Sequence, residues 1–115
     1  MDELTQYLKL SHYNEFELEE ILNKKIIITK DHVDSIDIDY YWDECEFNII
    51  KLFEKYGFIF TDDIYISLLN KNGNIIHDIP EKKRTNEIYK TAVRQKLNNV
   101  KMHLILFLII KNIYL

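Results

Sequence analysis

The chain has 115 residues, of which 47% are hydrophobic and 30% charged, and its 2 glycines and 1 proline exclude a collagen-like, low-complexity or disordered chain. Its single cysteine, Cys45, excludes an intramolecular disulfide and any zinc site with two or more thiolates. Residues 1–63 carry a formal charge of −10 (6 − 16) and residues 64–115 carry +6 (9 − 3), so the acidic part repels nucleic acid and attracts basic protein surfaces.

Two short helices are predicted at the start of the chain. Apolar residues recur at helical spacing between Asp2 and Leu10, and acidic residues occupy the first turn, where the helix macrodipole favours them. Asn14 is a good N-cap for a second helix, Glu15–Leu22, in which we expect Phe16 to share an apolar side with Ile21 and Leu22.

The next segment favours a loop. Residues Thr29–Tyr41 mix aspartate and serine with isolated apolar residues, a pattern typical of ordered loops, and we expect Val33, Ile36 and Ile38 to reach the core.

The strongest helical pattern covers Trp42–Tyr56. Its apolar residues fall on one face, acidic residues occupy its first turns and lysines its last turns, as the macrodipole favours. Gly57 follows, where a left-handed C-cap is expected. We interpret Cys45 as a buried, inert thiol on the apolar face of this helix.

Beyond Gly57 two structures compete. Asn72-Gly73 is a strong turn signal between two apolar segments, so a β-hairpin at residues 64–79 is an alternative to a helix there. A further helix is predicted from Thr85. The fold class is therefore mainly α, a small helical bundle, with α+β as the alternative. We expect one domain over 1–115, with 80–115 a helical and apolar C-terminal extension.

The C-terminal segment Met102–Leu115 is strongly apolar. Its uninterrupted apolar run, Leu104–Ile110, is far shorter than the roughly 20 residues that span a bilayer, so we expect no integral membrane span. Docking on the core is one interpretation of this segment, and self-association or a peripheral membrane contact is the other. Met1-Asp2-Glu3 lacks the basic start of a signal peptide, which favours a cytoplasmic protein.

Catalytic motifs are absent from the sequence. It contains no glycine-rich phosphate loop, no GxSxG, HExxH or CxxC motif, and its four histidines are far apart. The acids between Asp34 and Asp39 do not have the spacing of a calcium loop. We therefore expect no enzyme, no cofactor and no metal site.

One stretch carries a resemblance to a known family. Residues Thr29–Gly57 contain Asp37-Ile38, then Trp42-Asp43-Glu44-Cys45-Glu46, then Phe53-Glu54-Lys55-Tyr56-Gly57. This order is similar to that of a bacterial acyl-carrier-protein-like family of unknown function, in which Gly-Asp-Asp replaces the serine motif that carries phosphopantetheine.

The resemblance implies a small acyl-carrier-like helical bundle that forms a single domain and lacks carrier chemistry. Trp42 stands where a working carrier has its serine, and Ser35 lies too far upstream to replace it. What remains is the acidic helix face that carriers use to dock on basic partners. The resemblance therefore implies that the partner-binding residues are Asp43, Glu44, Glu46 and Glu54. A small immunity or antitoxin-type inhibitor is the alternative function.

Overall fold

The structure, a computed structural model, describes residues 2–98 and Leu104. The chain divides into two compact units, Met1–Tyr65 and Ile66–Leu115. Every regular element in the described residues is helical, so the prediction of a mainly α protein is confirmed. The elements are α1 (Glu3–Leu8), α2 (Glu15–Leu22), α3 (Lys30–Asp34), α4 (Ile38–Glu44), α5 (Ile49–Lys55), α6 (Asp62–Lys71), two 3₁₀ helices (Gly73–Asp78 and Glu81–Lys83) and α7 (86–98).

Side-chain caps fix where the helices of the first unit begin. Asp2 accepts a hydrogen bond from the Thr5 amide at 2.7 Å, and Asn14 accepts one from the Glu17 amide at 3.1 Å. Each bond satisfies a backbone N–H that has no partner within the first turn. The predicted helices at 2–10 and 15–22 are confirmed, although α1 is shorter than predicted.

The predicted loop at Thr29–Tyr41 is wrong, because this segment contains α3 and the first part of α4. Asp37 is the reason. Its side chain accepts a hydrogen bond from the Tyr40 amide at 3.1 Å and so starts a helix, whereas the sequence analysis assigned the aspartates of this segment to a loop. The burial of Val33, Ile36 and Ile38 in the core is confirmed.

The single helix predicted over Trp42–Tyr56 is also wrong, because α4 ends at Glu44 and α5 begins at Ile49. Asn48 provides the second start, since its side chain accepts a hydrogen bond from the Lys51 amide at 3.0 Å. Cys45 has extended backbone and lies in this break, half-buried, so it is not part of a helical apolar face. Gly57 has a φ of +95°, the left-handed conformation predicted for it.

The hairpin alternative at residues 64–79 is wrong, because α6 and the first 3₁₀ helix occupy this segment. The Asn72 side chain accepts a hydrogen bond from the Asn74 amide at 3.0 Å and starts a helical turn in place of a strand-joining turn. The described residues contain no β-strand.

A dense apolar core holds the first unit together. Helix α1 packs against α2 and α3. Phe60 stacks on the Tyr65 ring with 5.3 Å between the ring centroids. The fully buried side chains of this unit include Leu4, Leu8, Leu18, Val33, Ile49, Ile50, Phe53 and Tyr65.

In the second unit, α7 contributes one face to a core. Ile88 and Ala92 are buried, and the Gln95 side chain accepts a hydrogen bond from the Gly73 amide at 2.9 Å. A Cβ atom at Gly73 would lie 2.8 Å from the Gln95 Oε1 atom and 3.0 Å from the Ala92 carbonyl oxygen, so a side chain at this position would force these neighbours to shift. The helix predicted from Thr85 is confirmed over 86–98. The predicted C-terminal segment Met102–Leu115 lies outside the described residues, apart from Leu104, which is helical and exposed.

Candidate functional site

Three of the four sequence-predicted partner-binding residues lie close together in the chain and face solvent. Asp43 and Glu44 form the last turn of α4, and Glu46 follows in the connection to α5. All three are exposed, and within residues 2–98 none of them has an ion-pair partner. Glu54 is different: it lies on α5, half-buried, and accepts a hydrogen bond from the Tyr65 hydroxyl at 3.2 Å.

The helix end at which these acids lie is the opposite of the one predicted. The sequence pattern predicted Asp43 and Glu44 at the start of a helix, where negative charge is stabilising. In the structure they occupy the carboxyl end of α4, where the macrodipole is negative and acidic side chains are unfavourable. Helix stability therefore gives no reason for these two charges.

Glu44 and Glu46 line a groove of about 650 Å³ in the first unit. The connection between α1 and α2, with the start of α2, forms one side, and the last two turns of α4 with the connection to α5 form the other. The lining residues are His12, Tyr13, Asn14, Glu15, Phe16, Tyr40, Glu44, Glu46 and Phe47. Asp43 and Glu54 are not among them.

A tyrosine network fixes the wall of this groove. The Tyr13 amide donates a hydrogen bond to the Tyr40 hydroxyl at 3.2 Å, and the two rings meet edge to face with 5.0 Å between centroids. The Tyr13 hydroxyl accepts a hydrogen bond from the Asp37 amide at 2.9 Å and donates one to the Leu8 carbonyl. The α1–α2 connection is thereby attached to the start of α4.

Two phenylalanines give the groove its apolar surface. Phe16 is 79% exposed, so the expectation that it packs on the apolar side of α2 is wrong. Leu18, Ile21 and Leu22 form the buried side of α2 instead. Phe47 is half-buried in the break between α4 and α5.

The groove is negatively charged because its three carboxylates face no lysine or arginine among the lining residues. A neighbouring groove of about 360 Å³ shows the contrast. There the Lys55 ammonium lies 2.8 Å from Glu19, and this hydrogen-bonded pair lowers the pKa of Glu19 and raises that of Lys55. The charges of the neighbouring groove are thus largely compensated.

The aromatic part of the site was not predicted from the sequence. Tyr40 and Glu44 are four residues apart, the spacing that puts two side chains on one helix face, but this signal appears only once Asp37 is known to cap α4. His12 and Tyr13 belong to a connection without a repeating pattern. Phe47 lies within the single helix predicted over Trp42–Tyr56, whereas in the structure it belongs to the break between α4 and α5.

The described residues contain no group of three or more histidine, cysteine or acidic side chains able to hold a metal ion. The Cys45 Sγ donates a hydrogen bond to the Phe47 carbonyl at 3.3 Å. The carboxylates of Glu44 and Glu46 beside the Phe16 ring suit the groove to binding a cation that is attached to an apolar group.

The carrier-like alignment of Thr29–Gly57 stays a prediction. Trp42 is the fifth residue of α4 and is half-buried, whereas the alignment placed it at a helix start. The Ser35 hydroxyl donates a hydrogen bond to the Asp31 carbonyl at 2.8 Å.

Comparison with protein-family models, curated proteins and solved structures finds no match to the chain. None of the helices in residues 2–98 has both the length and the apolar character needed to traverse a lipid bilayer.

Proposed function

We propose that the first unit is a non-catalytic protein-interaction module that docks on a basic protein partner through the groove between α2 and α4. The observation that carries the proposal is the exposed Phe16 beside Glu44 and Glu46, two carboxylates that no cation in the described residues neutralises. An exposed aromatic next to uncompensated charge is typical of a recognition surface.

The chemistry of the groove favours a lysine or arginine side chain of the partner. Carboxylates attract the cation, and the rings of Phe16, Tyr40 and Phe47 offer apolar and cation–π contacts to its stem and charged head. The same negative charge accelerates the encounter with a basic protein. Because the tyrosine network already fixes one wall, little ordering is needed when the partner binds.

Asp43 contributes to this surface without lining the groove. It adds negative charge at the carboxyl end of α4, next to Glu44, and it is exposed. We therefore include Asp43, Glu44 and Glu46 in the docking surface. Glu54 is left out, because its carboxylate is engaged with the Tyr65 hydroxyl on another part of the unit.

A peptide-binding measurement tests the proposal. The probe is a fluorescent lysine-rich peptide bearing leucine side chains, and its affinity for the full chain is measured by anisotropy. Phe16→Ser is expected to weaken binding about tenfold, because it removes exposed apolar area and leaves the charge unchanged. Glu44→Lys/Glu46→Lys is expected to weaken binding at least about tenfold through repulsion of the peptide.

The control carries the same change in net charge away from the groove. Asp31→Lys/Asp63→Lys replaces two exposed acids of α3 and α6 that do not line it. Equal loss of affinity in this control and in Glu44→Lys/Glu46→Lys, together with full affinity of Phe16→Ser, would show general charge attraction and contradict the proposal.

The partner itself distinguishes the two function classes of the sequence analysis. A carrier-like docking module would bind an enzyme, whereas an immunity-type inhibitor would bind and silence a basic toxin. Co-expression that rescues cells from a toxin, and loses this effect in Glu44→Lys/Glu46→Lys, would assign the groove to the second class.

A further inference from the structure

Helix α7 presents an apolar stripe to solvent. Ile88 and Ala92 on one face are buried, whereas Tyr89, Val93 and Leu97 are exposed, with Val93 at 54% and Leu97 at 51%. The exposed three are spaced four residues apart, so they form one continuous stripe along the helix. We call Tyr89, Val93 and Leu97 the α7 stripe.

Cations flank the α7 stripe on both sides. With a rotation of about 100° per residue, Lys90 and Arg94 fall on one side of it and Lys96 on the other, and all three are exposed. The one acidic residue of the helix, Glu87, lies 3.6 Å from the Arg94 guanidinium. The formal charge of residues 86–98 is +2 (three bases and one acid).

The stripe and its cations form one surface. Tyr89, Val93 and the stems of Lys90 and Arg94 border a shallow groove of about 360 Å³ with almost entirely apolar walls. Long basic side chains of this kind cover apolar surface with their methylene groups while the charged ends reach outward. The surface therefore combines an apolar centre with a positively charged rim.

We propose that this face of α7 binds an anionic lipid surface, with the helix lying in the plane of the membrane interface. Val93 and Leu97 would enter the boundary between headgroups and acyl chains, Tyr89 would lie at headgroup level, and the flanking cations would contact lipid phosphates. An apolar stripe with basic side chains on both sides is the pattern of interfacial helices. The proposal is independent of the groove in the first unit.

Other occupants of the face fit it less well. A second copy bound through the same face would bring its cations against an identical set of cations. Nucleic acid binding would use the cations but would leave Val93 and Leu97 in water, and Tyr89 is the one aromatic side chain within residues 86–98 for base stacking. A lipid surface satisfies both the charge and the apolar stripe.

Vesicle flotation of the full chain tests the proposal. The probes are vesicles of phosphatidylcholine alone and of phosphatidylcholine mixed with phosphatidylserine. We expect binding to the mixed vesicles at least about tenfold stronger than to neutral ones, since each cation near an anionic surface contributes about fivefold in affinity. Added salt should weaken the binding.

Two variants separate the apolar and the charged contributions. Val93→Gln/Leu97→Gln removes apolar area without changing charge and is expected to reduce binding at least about tenfold. Lys90→Gln/Lys96→Gln removes two cations and is expected to reduce binding more than about tenfold on mixed vesicles alone. Lys9→Gln/Lys51→Gln, with the same charge change at exposed positions of the first unit, is the control and is expected to bind like the parent.

A fluorescence signal places the helix at the interface directly. Tyr89→Trp keeps an amphipathic aromatic on the stripe, and its emission is expected to shift to the blue on mixed vesicles, whereas the parent, with Trp42, shows no such shift. Circular dichroism confirms that each variant remains helical. The proposal is overturned by an absent shift, by equal binding to neutral vesicles, or by full binding of Val93→Gln/Leu97→Gln. Affinity for RNA without affinity for vesicles would overturn it as well.

Discussion

At the scale of single residues, Asp2 links the start of α1 to α3. One carboxylate oxygen accepts the Thr5 amide at 2.7 Å, and the other lies 3.0 Å from the His32 Nε2 atom. The Nδ1 atom of His32 accepts a hydrogen bond from the Thr29 amide at 2.9 Å. The ring proton is therefore on Nε2, which donates a hydrogen bond to the Asp2 carboxylate. These hydrogen bonds, with that from the Thr5 amide the largest contribution, lower the pKa of Asp2 from 3.8 to about 2.

The lowered pKa predicts a dependence of stability on pH. Because the folded-state pKa of Asp2 lies below its unfolded value, its contribution is complete above about pH 4 and is lost as the pH falls to about 2. Asp2→Asn should therefore unfold more easily than the parent at neutral pH and lose this difference at about pH 2. Urea unfolding at several pH values measures it. Asp31→Asn, which removes an exposed carboxylate, is the control. Its difference from the parent in the free energy of unfolding should not show a loss between about pH 4 and pH 2 like that of Asp2→Asn. A pH-independent difference for Asp2→Asn would contradict the account.

Tyr13 supports the second residue-scale prediction. Burial raises its pKa to about 12, and its hydroxyl connects the Leu8 carbonyl with the Asp37 amide. Tyr13→Phe leaves both backbone groups without this partner and should lower the free energy of unfolding by about 1–3 kcal/mol. The exposed Tyr89→Phe is the control, with an expected change below about 0.5 kcal/mol. Equal stabilities of the two variants in urea would show that the network does not hold the groove wall.

At the scale of helices, the sequence predicted a helix end correctly where the capping residue and the spacing of the apolar residues indicate the same boundary. Asn14 and α2 are an example, and so is the left-handed Gly57. The prediction failed around residues 37–48 because Asp37 and Asn48 suit both loops and N-caps, and periodicity does not distinguish the two. The candidate site lies in this part of the chain. Its acidic residues were therefore predicted correctly as exposed charges, but their position at the carboxyl end of α4 was not predicted.

The position of the acids in α4 has a measurable consequence. Asp43→Lys/Glu44→Lys replaces negative side chains, which the negative carboxyl end of the α4 dipole repels, by positive side chains, which it attracts. The free energy of unfolding should therefore rise by about 0.5–2 kcal/mol. Asp39→Lys, in the first turn of the same helix, is the control and should lower it. Thermal or urea unfolding at low salt measures both. If the first variant is less stable than the parent, the assignment of these acids to a helix end is wrong.

At the scale of the whole molecule, the sequence predicts the charge distribution, but it predicts neither the groove of the first unit nor the α7 stripe. The acidic character of residues 1–63 suggested a basic partner, but the groove depends on contacts between the α1–α2 connection and α4, which are far apart in sequence. The α7 stripe was equally hidden, because periodicity does not tell which apolar side chains of a helix remain exposed. The predicted single domain over 1–115 and the predicted partner stay predictions.

The most direct test of the proposed docking surface is an NMR titration of the full chain with the lysine-rich peptide. The account predicts that amide signals of residues 12–16 and 40–47 move together at low peptide concentration, while those of α7 remain in place. Signals that move on the lysine-bearing side of α5, or all over the chain without saturation, would contradict it.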